Sequence, residues 1–213
     1  ITSATGSPYS ISSATLSSAT NYFVVISGSV TSSVATLTVR SSVNSLAWLG
    51  TNSLNWDLTS PNWSNTVATT SGVLYQTGDN VQFTDAGKSS SPIVLTTALA
   101  PTSVSVSSSS NYVFAGSGSL AGNVQLTKSG TGTLIISNAN SFRGATLVNN
   151  GTLQLGNAGA LGAVTNLVYV NGGTLDFGGI AAPTILQYSI QGTGYTNAGA
   201  LANSGGTIQN GNG

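Results

Sequence analysis

The chain has 213 residues, of which 39% are hydrophobic and only 4% are charged, with four Lys or Arg against four acids. Ordinary globular domains carry about 25% charged residues, and four scattered cations offer no electrostatic surface to nucleic acid or to anionic lipid. His, Cys and Met are absent, so the usual ligands of zinc, iron–sulfur and haem centres are missing and neither a metal nor a cofactor is predicted.

Residues 1–40 predict a partial β structure. From Tyr9 to Val39 the sequence YSISSATLSSATNYFVVISGSVTSSVATLTV alternates apolar with hydroxyl residues. It resembles the second half of a bacterial immunoglobulin-like module, in which a Tyr, here Tyr22, begins a central strand. Three or so strands do not close a two-sheet sandwich. We expect the missing half upstream or from another copy, and the lack of a Met or signal segment at Ile1 suggests a start inside a longer reading frame.

Residues 41–100 contain all three tryptophans. Trp48, Trp56, Trp63 and Tyr75 allow two interpretations. They can close the open apolar end of a repeat structure, which solenoids require, or they can form an exposed aromatic platform for glycans. The cap is favoured because Trp buries more area than any other residue.

Residues 101–213 contain a repeat that predicts a β-solenoid. The sequence Gly-Thr followed by an apolar residue occurs at 132–134, 151–153, 173–175 and, in degenerate form, 206–208. The first three Thr are 19 and 22 residues apart, and the last gap of 33 implies an insertion or an extra turn around Ile185 to Ile190. A period near 20 residues fits a solenoid coil of two or three short strands with their corners.

Strand alternation assigns the faces of these repeats. Side chains two apart point to the same side of a strand, so Ile135, Gln154 and Asp176 are expected to face solvent. The predicted inward columns consist of Leu134, Ile136, Leu153, Leu155, Leu175 and Phe177.

One stretch carries a specific family resemblance. The sequence LTKSGTGTLIISNANSFRGATLVNNGTLQL, which begins at Leu126, resembles the autotransporter-associated β-strand repeat. The matching residues are Leu126, Lys128, Gly130, Gly132, Thr133, Leu134, Ser137, Asn140, Gly144, Thr146, Val148, Gly151, Thr152 and Leu153. The resemblance implies a right-handed parallel β-helix in a large bacterial surface or secreted protein. The segment from Trp48 to Asp85 resembles the region that often precedes such repeats.

The sequence lacks most of the residue combinations that enzymatic sites require. A serine nucleophile lacks the usual His base, which leaves only adjacent Ser–Lys pairs at Lys88 and Lys128. A glycosidase needs two neighbouring carboxylates, whereas Asp79 and Asp85 are six residues apart on one predicted strand. We therefore predict no enzymatic activity and no catalytic residue.

The prediction is an all-β structural protein, located outside the bacterial cell: a component of an extracellular fibre or the stalk of a surface protein, assembling head to tail with its own copies. An adhesin that binds glycans through the Trp-rich region is the second hypothesis, and a polysaccharide-processing β-helix is the third. The predicted partners exclude nucleic acid, and no apolar run reaches the roughly 18–20 residues needed to insert into a membrane.

Overall fold

The computed structural model describes residues 15–23, 25–26, 30–37, 39, 42–181 and 187–205. The chain forms two compact units, Ile1–Val43 and Asn44–Gly213. The fourth Gly-Thr repeat at residues 206–208 lies outside the described residues, as does Ile185.

The first unit contains short antiparallel pairs. A 3-10 turn at Leu16–Ser18 precedes β1 (Thr20–Tyr22), β2 (Val25–Ile26), β3 (Val30–Thr31) and β4 (Ala35–Leu37). Strand β1 pairs with β4, and β2 pairs with β3. Tyr22 ends β1 rather than beginning a strand, and its hydroxyl donates to the Ser18 carbonyl at 2.8 Å. The immunoglobulin-like assignment stays a prediction.

The second unit is a β-solenoid of stacked parallel strands, as predicted. Short 3-10 segments lie at Asp85–Ser90 and Tyr195–Asn197. The strands are β5 (Ser45–Trp48), β6 (Asn55–Trp56), β7 (Trp63–Asn65), β8 (Thr70–Val73), β9 (Asn80–Thr84), β10 (Ile93–Leu95), β11 (Ala98–Leu99), β12 (Ser103–Ser107), β13 (Tyr112–Ala115), β14 (Ser119–Leu120), β15 (Gln125–Lys128), β16 (Thr133–Ile136), β17 (Thr146–Val148), β18 (Thr152–Leu155), β19 (Leu167–Asn171), β20 (Thr174–Asp176), β21 (Gln187–Gln191) and β22 (Leu201–Ala202).

Successive strands of the coil belong to different sheets. A nine-stranded sheet has the order β21-β19-β17-β15-β12-β9-β5-β7-β8, and a seven-stranded sheet has the order β22-β20-β18-β16-β13-β10-β6. A third, two-stranded sheet pairs β11 with β14. Among the described strands of this unit every pair is parallel except β5 with β7 and β7 with β8, which are antiparallel. The chain therefore winds around one axis, and each coil adds a strand to both large sheets.

The Gly-Thr repeats set the register between coils. Thr133 pairs with Thr152, and Thr152 pairs with Thr174, so the 19- and 22-residue spacings are single coils. Gly151 forms the corner before β18 with φ +63°, and a Cβ atom there would lie 2.3 Å from the Gly130 carbonyl oxygen. Only glycine fits a positive φ at such a close backbone approach.

The apolar core lies between the sheets, because alternate residues of each strand point inward. Five of the six predicted column residues, Leu134, Ile136, Leu153, Leu155 and Leu175, are at most 1% exposed. The sixth, Phe177, follows the end of β20 and is only partly buried against the core. Corner residues that the alternation did not indicate, Phe142, Ala160 and Leu161, are also buried.

The last described coils differ from the sequence prediction at Asp176. Strand β21 occupies the long gap between the third and fourth Gly-Thr repeats, and Leu201 of β22 pairs with Leu175. The expected solvent-facing residue Asp176 is only 5% exposed. Ser204 and Gln154 cover its carboxylate through hydrogen bonds, a contact between residues 28 positions apart that strand alternation does not predict.

Candidate functional site

The Trp-rich region forms one aromatic cluster at the first coil. Trp48, Trp56 and Trp63 come from β5, β6 and β7, and Tyr75 follows β8. The rings pack edge to face: the Trp48 and Trp63 centroids are 5.0 Å apart at 79°, and those of Trp56 and Tyr75 are 5.6 Å apart at 89°. Phe83 of β9 joins the cluster at 5.4 Å from Trp56. Such pairs add about 0.5–1.5 kcal/mol each beyond the area that they bury.

Burial decides between the two interpretations of these rings. All four predicted residues, Trp48, Trp56, Trp63 and Tyr75, have 0% exposed surface. A glycan platform needs ring faces that are open to solvent, and these rings offer none in this structure. The geometry is that of a plug that continues the core at the first coil, so the glycan hypothesis loses its proposed site.

A buried asparagine holds the loop that carries the cluster, and the sequence prediction missed it. The Asn62 Oδ1 accepts hydrogen bonds from the backbone N–H groups of Asn52 and Ser53 at 3.0 and 2.9 Å. Its Nδ2 donates to the Ser53 Oγ and to the Asn55 carbonyl, both at 2.8 Å. One side chain thus joins the start of β7 to β6 and to the loop between β5 and β6. The available sequence signal was the repeated Asn-Trp pair, Asn55-Trp56 and Asn62-Trp63.

The acidic side chains near the first coils accept hydrogen bonds from turns. Asp79 is buried, and its two oxygens accept from the Asn44 and Gln76 backbone N–H groups at 2.9 and 3.0 Å. Asp85 accepts from the hydroxyl of Ser108 at 2.7 Å and from the N–H of Ser109 at 3.0 Å. The Ser108 hydrogen bond lowers the pKa of Asp85 from its ordinary value. Asp85 therefore connects the end of β9 to the next coil.

The other two acids have the same role. Burial raises the pKa of Asp57, but hydrogen bonds from Thr59 and Ser60 outweigh it and hold that pKa below its ordinary value. Burial likewise raises the pKa of Asp176, and hydrogen bonds, chiefly from Ser204, lower it overall. All four Asp carboxylates thus accept hydrogen bonds from turns, and the pKa values of Asp57, Asp85 and Asp176 are lowered, whereas a general acid needs a raised one.

Lys128 is the buried cation of the repeat. It is 1% exposed, and its Nζ donates to the carbonyl of Gly130 and, at 3.2 Å, to the carbonyl of Asn150 in the next coil. Burial lowers the pKa of its ammonium to about 8. These carbonyl contacts give Lys128 a structural role and provide no base for Ser129. The side chain of Lys88, the other Ser–Lys candidate, lies outside the described residues.

The described residues contain no cluster of three metal-binding side chains. In the same part of the chain, no helix has the length and apolar character required to cross a membrane.

Two comparisons with known proteins match part of this chain. Residues 126–155, which run from the second residue of β15 to the end of β18 and include Lys128, match the family model of the passenger-associated-transport-repeat. A stretch of 120 residues is 38% identical to "Adhesin BmaC autotransporter" of Brucella suis biovar 1 (strain 1330). That alignment covers 46% of this chain and 3% of the relative, so the chain spans a small part of the relative's length. No solved structure matches significantly. The predicted family resemblance is confirmed, and this solenoid carries a repeat of the autotransporter passenger type.

Proposed function

We propose that the solenoid is a non-enzymatic stalk of a bacterial surface passenger exposed outside the cell. The number of its coils would set the length of the stalk. The observation that supports this most directly is the structural use of the four carboxylates, of Lys128 and of the Trp rings. The four carboxylates tie turns together, Lys128 joins two coils, and the rings of the Trp-rich cluster are buried. The described residues retain no acid–base pair that could carry out catalysis.

Adhesion is the second candidate, because the similar Brucella protein is named an adhesin. The matched region is only 3% of that protein, so its binding surface need not lie in the part that resembles this chain. A stalk fits a short segment of a very long passenger.

The stalk function predicts that length follows coil number. Residues 126–145 form one coil in register, since Leu126 pairs with Thr146. Each tandem copy of this segment should lengthen the particle by about 4.8 Å, and five copies by about 24 Å. Electron microscopy of particles labelled at both ends measures the change.

A matched control receives a Gly/Ser linker of the same number of residues. Flexible linkers have no fixed length, so the control should broaden the distribution of end-to-end distances without a defined increment. An unchanged particle length after five added coils would refute the stalk function.

A further inference from the structure

The outward face of the nine-stranded sheet has no charged residue in the described strands. Register pairing aligns its central column along the solenoid axis, one residue per strand. That column consists of Gln82, Ser105, Thr127, Leu147, Tyr169 and Ser189. The residues of this column are partly or fully exposed. The column therefore presents one amide, three hydroxyls, one aliphatic side chain and one aromatic ring at the spacing of the strands, about 4.8 Å.

The seven-stranded sheet has a different outward face. Its corresponding column runs from Val113 through Ile135 and Gln154 to Asp176. It is aliphatic at one end, while at the other the Gln154 amide is bonded to the Asp176 carboxylate at 2.8 Å. This face has fewer free hydrogen-bonding groups, and it provides an internal comparison for the nine-stranded face.

A groove lies on the polar face where the first coils meet. It has a volume of about 170 Å³, and it is lined by Ser45, Leu46, Thr66, Asn80, Val81, Gln82, Ser103 and Ser105. Ser103 donates to the Asn80 Oδ1 at 2.8 Å, which orients the Asn80 N–H groups for other acceptors. Within the described residues the side chains of Gln82 and Ser105 make no hydrogen bond. Donors and acceptors are thus available to a ligand.

Tyr169 supplies an aromatic surface further along the same face. It is the outward ring of β19, between the buried residues Val168 and Val170, and it pairs with Leu147 and Ser189. Four strand spacings, about 19 Å, separate it from Gln82. A partly exposed ring combined with amide and hydroxyl groups suits a ligand that has both apolar faces and hydroxyl edges.

We propose that this face binds an uncharged polysaccharide, which lies along the solenoid axis from the groove toward Tyr169. A neutral polyol fits because the face has no charge to attract an ion, and burying hydroxyls requires partners such as the Gln82 amide. A linear polysaccharide repeats its units along one direction, as the stacked strands do. This site differs from the buried Trp cluster, and the proposal goes beyond the stalk function, which stands without it.

Affinity electrophoresis of the full chain tests the site, with galactomannan, xyloglucan or dextran in the gel as neutral probes and alginate as an anionic probe. The variant Ser105→Glu places a carboxylate in the groove, and Tyr169→Ser removes the ring. Thr133→Glu is the matched control, because it makes the same hydroxyl-to-carboxylate change on the outward side of the seven-stranded sheet. All three positions face outward, and far-UV circular dichroism checks that the variants remain folded.

The expected result is retention by at least one neutral polysaccharide, weakened about tenfold or more in Ser105→Glu and in Tyr169→Ser and unchanged in Thr133→Glu. Absence of retention by all three neutral probes would overturn the proposal. So would retention by alginate alone, or an equal loss in the Thr133→Glu control. None of these results would alter the coil-length measurement, so the two proposals fail independently.

Discussion

Replacing the central ring of the aromatic cluster tests whether the cluster holds the first coil together. Trp56 is fully buried, and its ring lies 5.3–6.0 Å from those of Trp63, Tyr75, Phe83 and Phe114. Truncating a buried Trp to Ala costs about 3–5 kcal/mol. The Trp56 Nε1 has no hydrogen-bond acceptor in the described structure, so its removal relieves a desolvation cost of about 1 kcal/mol. We expect Trp56→Ala to lower the free energy of unfolding by about 3 kcal/mol.

Urea denaturation followed by far-UV circular dichroism measures this loss without depending on Trp fluorescence. Leu58→Ala is the control, because Leu58 lies in the same region and is 46% exposed. Surface substitutions usually change stability by less than about 0.5 kcal/mol. A difference below about 1 kcal/mol between the two variants would refute the view that the cluster is a structural plug.

Two further predictions concern charge. The pKa of the Lys128 ammonium is about 8 in the folded state and near 10.5 in the unfolded state, so the unfolded chain binds this proton more tightly. The free energy of unfolding should therefore rise between pH 8 and 10, by up to about 1.4 kcal/mol per pH unit. Thermal melts should show this rise in the wild type and in Arg143→Met but not in Lys128→Met. Above pH 10 the Tyr112 hydroxyl, whose pKa is raised to about 12, lowers the free energy of unfolding as the pH increases. Asp176→Asn should lower the free energy of unfolding by about 1.5–3 kcal/mol at pH 7. The reason is that the hydrogen bonds that lower the pKa of Asp176 stabilise the fold when the carboxylate is ionised, at pH values above its unfolded pKa. That deficit should shrink in urea titrations below about pH 4, and a deficit independent of pH would contradict the assigned hydrogen bonds.

The coil was predictable from the sequence because its signal is local and periodic. Gly151-Thr152-Leu153 and its equivalents combine a corner glycine with alternation over a strand, and the observed register follows from their spacing. The burial of Asp176 was not predictable in this way. Its covering residue, Ser204, is 28 positions away, and no periodicity relates the two.

The candidate site was predictable in its residues but not in their exposure. Trp48, Trp56 and Trp63 were identified from composition, yet a Trp can cover a core or receive a ligand with the same side chain. Only the packing of Tyr75 and Phe83 against them shows that no ring face stays open. Conversely, the polar column through Gln82 could not be seen before the register was known, because its members are about 20 residues apart and have no common motif.

The two large sheets differ by two strands, and the difference identifies where parallel stacking stops. A further parallel strand requires a whole coil, whereas an antiparallel strand needs only a short turn. Strands β7 and β8 form such a hairpin, and they extend the nine-stranded sheet beyond β5 with no counterpart in the seven-stranded sheet. Within the described residues of this unit, the apolar end of the core at β6 therefore has no next strand to cover it. Side chains large enough to replace a layer of strands are needed there, and the rings of Trp56, Trp63 and Tyr75 provide them. The hairpin and the aromatic cluster are thus two parts of one termination, and coils can be added on the other side without altering it.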